Sequence, residues 1–248
     1  MHMANQSTYR NFDYCDLGLI DYKQAWDLQN EIFNKRLHNE VNDTLFLLEH
    51  PHTYTLGKVA AKENLLSNDD QLKELGVNVY EIDRGGDITY HGPGQIVGYP
   101  ILNLSDWNED THKYLRGLEE VLIQTCAEYG LNGERNPKFT GVWLKDKKIA
   151  AIGIKVSRWI TMHGFAFNVN TNLSYFNGII PCGIKDKEVT SLNRELGKNI
   201  DLNEVKKVIT EKFKNVFGYN SFTEIMNVST TNVTATNGIA KSNEISIK

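Results

Sequence analysis

Arg84-Gly85-Gly86-Asp87-Ile88-Thr89-Tyr90-His91-Gly92-Pro93-Gly94-Gln95 is the stretch on which the reading of this chain turns, with four glycines and one proline between Arg84 and Gln95. It follows Val77 to Ile82, where apolar and polar residues alternate at strand period after a Leu75-Gly76 helix stop. It leads into Gln95 to Leu104, again strand-like. Backbone that lacks Cβ atoms approaches a ligand closely, and Arg84, Tyr90 and His91 interleave charge, aromatic surface and a titratable ring with the glycines. The phosphate-cradling pattern GxxxxGK[ST] is absent. The stretch reads as a ligand-facing loop between two strands.

Outward from it, apolar residues recur at helical spacing from Asp21 to about Leu37, with Gln29 as a polar interruption. Thr44 to Leu48 reads as a strand, and Asp110 to Tyr129 as a helix with Leu115, Leu118, Leu122 and Cys126 on its core face. Val142 to Leu144 and Lys148 to Val156 form a hairpin, and Met162 to Val169 a further strand. Asp201 with Glu204 resembles a capping box opening a helix that runs to Phe217. Hairpins beside helical crossovers predict an α/β (α+β) fold, a mixed sheet flanked by helices. The boundaries expected are one catalytic domain over residues 1–218 and a polar tail, rich in Asn, Thr and Ser, over 219–248.

With 248 residues and 40% hydrophobic content, the chain is long enough to bury one sizeable core. A formal charge of -4 argues against nucleic acid as the main partner. The three cysteines, Cys15, Cys126 and Cys182, form no CxxC pair, which fits a reducing compartment. No run approaches the length of a membrane span. The expectation is a cytoplasmic protein that engages no membrane. His50 and His52 flank Pro51 without a third ligand at suitable spacing, so no metal is expected.

Among the cysteines, Cys182 differs by lying in Ile179-Ile180-Pro181-Cys182-Gly183-Ile184, a sharp change of direction at which glycine lets backbone N–H groups face whatever the sulfur attacks. Cys126 falls on the core face of a helix, and Cys15 in a polar stretch without a base or glycine turn nearby. A thiol with a reference pKa of about 8.5 needs a cation or a base to become a nucleophile at neutral pH. His91, His163, Lys148, Lys155 and Arg158 are the candidates, and chain position leaves all five open. On composition alone Lys148 reads as a solvated hairpin lysine, like Lys145 and Lys147.

These segments together resemble the lipoyl(octanoyl) transferase family, which shares its fold with the lipoate and biotin protein ligases. The resemblance rests on Leu48-Glu49-His50-Pro51 with Tyr54-Thr55-Leu56-Gly57, on RGGDITYHGPGQIVGYPILNL from Arg84, and on KIAAIGIKVSR from Lys148. It continues through HGFAFNV from His163 and IIPCGI from Ile179, followed by Val189-Thr190-Ser191-Leu192. It covers residues 10 to 217.

The resemblance implies a biotin/lipoate protein ligase-like catalytic domain in which Cys182 carries the acyl group as a thioester and Lys148 lowers its pKa. Arg84, Gly85, Gly86, Asp87, Ile88, Thr89, Tyr90 and His91 would line the acyl site, joined by Ala151, Ile152 and Gly153 and by Gly164, Phe165 and Ala166. Octanoyl-acyl carrier protein would be the donor. Lipoyl domains of 2-oxoacid dehydrogenase E2 subunits and of the glycine cleavage H protein would be the acceptors, and no cofactor is implied. Because carrier and lipoyl domains are often acidic, Lys145, Lys147, Lys155, Lys185 and Lys187 are candidates for a docking patch. The alternative is an ATP-dependent lipoate or biotin protein ligase, in which the Pro-Cys-Gly turn would be idle. A further alternative is a non-catalytic binder of acyl groups or lipoyl domains.

Overall fold

The computed structural model describes residues 9–180 and 188–225. Along the chain run β1 (Asn11–Leu19), α1 (Tyr22–Leu37), β2 (Asp43–Glu49), β3 (Thr53–Leu56), α2 (Asp69–Glu74), β4 (Asn78–Glu81), β5 (Ile88–His91) and β6 (Gln95–Ile101). Then come α3 (Thr111–Glu128), β7 (Glu134–Arg135), β8 (Val142–Leu144), β9 (Lys147–Ser157), β10 (Ile160–Asn168), α4 (Leu192–Leu196), α5 (Leu202–Phe217) and β11 (Ser221–Glu224).

Eight strands form one sheet in the order β11-β1-β2-β6-β10-β9-β8-β7, and β4-β3-β5 form a smaller one. The large sheet is mixed, since β1 pairs in parallel with both β2 and β11, whereas β2, β6, β10, β9, β8 and β7 follow one another antiparallel. This is the sheet flanked by helices that the sequence predicts.

Both faces are covered. On one, α3 and α5 pack on the sheet; Val205, Ile209, Phe213 and Phe217 recur every four residues and are fully buried with Leu118, Leu122 and Phe12. Each such side chain contributes about 1.5–3 kcal/mol by leaving water. On the other face α1 lays Ala25, Leu28, Ile32 and Phe33 against Val97, Tyr99, Ile101 and Met162. Asp21 caps α1 by accepting from the Lys23 and Gln24 N–H groups. The polar interruption has a use: buried Gln29 accepts the His163 N–H at 2.9 Å. His163 has φ of 57° within β10, a backbone state that L residues seldom adopt.

Several expectations are corrected. The N-terminal stretch thought merely polar is β1, and its Cys15 is buried. Residues 88–91, read as loop, form β5 against β3. Leu115 is only half-buried and borders a cavity rather than the core. The Asp201 cap accepts from the Asn203 N–H rather than forming a box with Glu204. The fold also runs past residue 218: Tyr219 is buried, with its hydroxyl donating to Asp43 at 2.6 Å, and β11 adds a strand to the sheet edge. The rest of the expected tail, from 226, lies outside the described residues. No helix among the described residues is long and apolar enough to cross a membrane.

Candidate active site

Where α1 stops covering the sheet, the small sheet and the glycine loop take over, and they leave a cavity of about 410 Å³ against β9 and β10. Its floor has little side chain. Gly153 pairs with Gly164 and Ala151 with Ala166 across the two strands. A Cβ on Gly164 would lie 2.2 Å from the Gly98 carbonyl oxygen, so that position has no room for a larger residue. The roof is the Arg84–His91 stretch. Gly85 N–H donates to the Ile154 carbonyl at 2.9 Å, which ties the roof to the floor. Gly86 turns the chain there at φ of 90°.

Thirteen of the sequence-derived positions border this cavity: Arg84 to Thr89, His91, Ala151 to Gly153 and Gly164 to Ala166. Tyr90 is the exception. Side chains alternate along β5, and Tyr90 turns away, fully buried in a separate cluster with Tyr54, Leu56 and Ile88. Its ring stacks on Tyr175 at 5.1 Å, and its hydroxyl meets His52 Nδ1 at 2.7 Å. These contacts pack it between the small sheet and the 173–178 turn.

Lys148 also borders the cavity and is only 8% exposed, so it is not the solvated lysine that composition suggests. Strand alternation alone would turn Lys148 to the same side as Ala150. The pairing of Val142 with Ala150 but of Trp143 with Lys148 leaves Ile149 as an extra residue in β9. Ile149 and Ala150 consequently both fall in the α3/α5 core, and the bulge brings Lys148 to the cavity with Ala151 and Gly153. The Lys148 ammonium lies 4.9 Å from the centre of the Trp143 ring.

Cys182 lies outside the described residues, with Pro181, Gly183 and Ile184. The residues on either side of that segment are anchored. Ile180 N–H donates to the Asn64 carbonyl at 2.8 Å; Lys148 N–H donates to the Glu188 carbonyl at 2.8 Å. The chain therefore re-enters the described fold alongside the cavity lysine.

The remaining candidates resolve into distinct surroundings. His163 Nε2 meets Asp83 Oδ1 at 2.9 Å, and Lys155 pairs with the same carboxylate. The bond from His163 and then that from Lys155 hold the Asp83 carboxyl well below the usual range, while burial lowers His163. Lys155 is thus engaged in an ion pair with Asp83; Lys185 and Lys187 lie outside the described residues. Arg158 sits in the turn between β9 and β10 with φ of 51°. His50 is buried, with Nδ1 on the Ile20 carbonyl and Nε2 on the Tyr99 hydroxyl, both at 2.8 Å. Among the described residues no group of three or more His, Cys, Asp or Glu side chains converges as a metal site.

Sequence reasoning passed over Thr55, Gln95 and Asn168, all three of them buried, with Gln95 and Asn168 bordering a second, smaller cavity. Arg84 donates to the Thr55 carbonyl and hydroxyl, each at 2.9 Å. Each is a single polar residue in a different strand, a weak signal in the sequence.

Comparison with known proteins gives a consistent result. The model of the lipoyl protein ligase A/B catalytic domain matches residues 21–214. A protein of Christiangramia forsetii named octanoyltransferase is 53% identical over 219 residues, 82% of this chain and 94% of that one. Another of that name from Rubrobacter xylanophilus is 53% identical over 203 residues, 81% of this chain and 91% of that one. Among solved structures, a bi-partite lipoate protein ligase from Thermoplasma acidophilum superposes with a TM-score of 0.71 at 14% identity, covering 95% of each chain.

Proposed function

The chain belongs to the lipoyl protein ligase A/B catalytic-domain family, and from that membership together with relatives named octanoyltransferase at about half identity we infer that it is an acyltransferase carrying out octanoyl transfer in lipoate biosynthesis. The donor in this reading is octanoyl-acyl carrier protein. The acceptor is a lysine of a lipoyl domain, from a 2-oxoacid dehydrogenase E2 subunit or the glycine cleavage H protein. Cys182 is the nucleophile.

The observation that carries the reading is the buried Lys148, brought by a strand bulge onto a cavity floored by glycine and alanine, with the chain that follows Cys182 bonded to its backbone. A largely apolar, narrow slot suits an alkyl chain. The one cation that β9 contributes at that floor suits a thiolate partner.

The steps balance in protons and electrons. The Cys182 thiolate, paired with the Lys148 ammonium, attacks the octanoyl thioester carbonyl, and the carbon–sulfur bond to the carrier breaks. The departing carrier thiolate takes a proton from Lys148. Lys148, now a neutral amine, accepts a proton from the incoming lysine, whose reference pKa of about 10.4 otherwise keeps it charged. That amine attacks the acyl-enzyme, Cys182 leaves as the thiolate, and the attacking nitrogen gives up its second proton to solvent as the neutral amide forms. A thioester is already activated, so transfer proceeds without ATP.

Intact mass spectrometry tests this directly. With octanoyl-carrier protein alone, the enzyme gains one octanoyl mass on the peptide containing Cys182. Hydroxylamine releases it, and a lipoyl domain with a free lysine discharges it. Dependence on ATP would point to a ligase instead, and absence of any covalent mass to a passive binder.

A further inference from the structure

Beneath the cavity, buried side chains from four segments form one continuous run of hydrogen bonds, and its polarity is determined throughout. Both amide hydrogens of Gln95 are used, on the Tyr90 carbonyl at 3.1 Å and on Asn168 Oδ1 at 3.0 Å. Gln95 Oε1 can therefore only accept, so His91 Nδ1, 2.9 Å away, carries the proton. His91 Nε2 is then a lone pair, 3.4 Å from the Thr55 hydroxyl, and that hydroxyl accepts from Arg84 at 2.9 Å. At the other end Asn168 Nδ2 donates to the Thr190 carbonyl at 3.0 Å. Every donor points the same way, from the glycine loop at Arg84 to Thr190.

Reversing either amide would set oxygen against a carbonyl, which fixes both orientations. The His91 ring is held neutral, since burial pushes its pKa well below the ordinary value. Bonds aligned head to tail in a dry interior also strengthen one another.

Thr190 in turn donates its own N–H to the Lys148 carbonyl at 2.9 Å. Asn168 and Gln95 border a small second cavity whose wall includes Lys148 and Val189. Neither residue reaches the reacting atoms by this route; both hold the strand segment that runs beside the lysine.

We propose that Gln95 and Asn168 are positioning residues for the acyl-transfer reaction, which fix Thr190, and with it the chain following Cys182, in register with Lys148. The inference rests on the acyl-transferase reading above.

Single-turnover loading tests it. Asn168→Asp keeps an acceptor for Gln95 but presents oxygen to the Thr190 carbonyl, and Gln95→Ala breaks the run one link earlier. Both variants should load octanoyl about a hundredfold more slowly, as a misplaced reacting group does, with KM for the carrier within about twofold of the parent. The double variant should be no slower than the slower single one, because the two residues act as a unit. Melting curves give the folded fraction. If either folded variant loads at the parental rate per folded molecule, the proposal is overturned, and Gln95→Ala decides alone should Asn168→Asp not fold. A parent enzyme that acquires no octanoyl mass would sink the acyl-transferase reading instead.

Discussion

The backbone N–H of Thr190 donates to the backbone carbonyl of Lys148 at 2.9 Å, while the Lys148 N–H donates to Glu188. Two bonds thus stitch the chain that follows Cys182 in sequence to the bulged start of β9. Lys148 is held by its own backbone as well as by the wall of the cavity it borders, and its replacement is the most direct probe of the chemistry.

Lys148→Arg keeps a cation beside the cavity but is too weak an acid to shuttle a proton near neutral pH. Thiol alkylation of Cys182 should remain fast, while turnover falls by about a hundredfold or more, the usual worth of a positioned acid–base group. Lys148→Ala should lose both. Parental turnover in Lys148→Arg would reduce Lys148 to an electrostatic role.

Two of the three cysteines are closed to reagent by the core. Cys15 and Cys126 are both buried, and burial pushes the Cys126 thiol up to about 12. Iodoacetamide at pH 7.5 should therefore label one thiol in the native protein, on the peptide containing Cys182. Cys182→Ser should abolish loading, whereas Cys15→Ser and Cys126→Ser should still transfer. Rapid labelling of Cys126 in folded protein would contradict the core packing described here.

The paired glycines of the cavity floor should respond differently to the same substitution. A Cβ at 164 meets the Gly98 carbonyl oxygen at 2.2 Å and Pro100 Cδ at 2.7 Å, contacts within a central sheet. Gly164→Ala should cost about 3 kcal/mol or more, the upper range for overpacking, and lower Tm sharply. At 153 the neighbours are the Gly85 oxygen at 2.9 Å and Arg84 Cδ at 3.0 Å, on the roof loop. Gly153→Ala should stay folded, displace the roof and raise KM for the acyl donor. Equal Tm losses would show that roof and floor are equally rigid.

Stability should fall in mild acid. Burial lowers the pKa of His50, to about 4, and lowers those of His91 and His163 as well. A buried neutral histidine whose folded pKa is depressed contributes its full stability above the unfolded value of about 6.5; protonation of the unfolded chain erodes that as pH falls. For His50 the loss is on the order of 2 kcal/mol by pH 5. Urea midpoints measured from pH 7.5 to 5 should therefore decline, and His50→Gln should decline less steeply. A flat profile would mean that these rings are solvated.

The sequence by itself determined the helices, the class of sheet and the motifs that surround the cavity. Helical spacing from Asp21, from Asp110 and after Asp201 is local information, since one face of each must be apolar to reach a core, and α1, α3 and α5 follow it. The glycine loop was legible because Gly and Arg have few other reasons to alternate with Tyr and His. What tertiary structure decided was direction. A single extra residue in β9 moved Lys148 from the core side to the cavity side, and pairing with β3 turned residues 88–91 into a strand that hides Tyr90. Bulges and strand pairs are set by which residues meet across two strands, so the period of two within one strand cannot reveal them. The run from Arg84 through Thr55, His91, Gln95 and Asn168 to Thr190 exists for the same reason. Each member is an ordinary polar residue until the sheets bring the others within hydrogen-bond reach and exclude the water that would otherwise satisfy it.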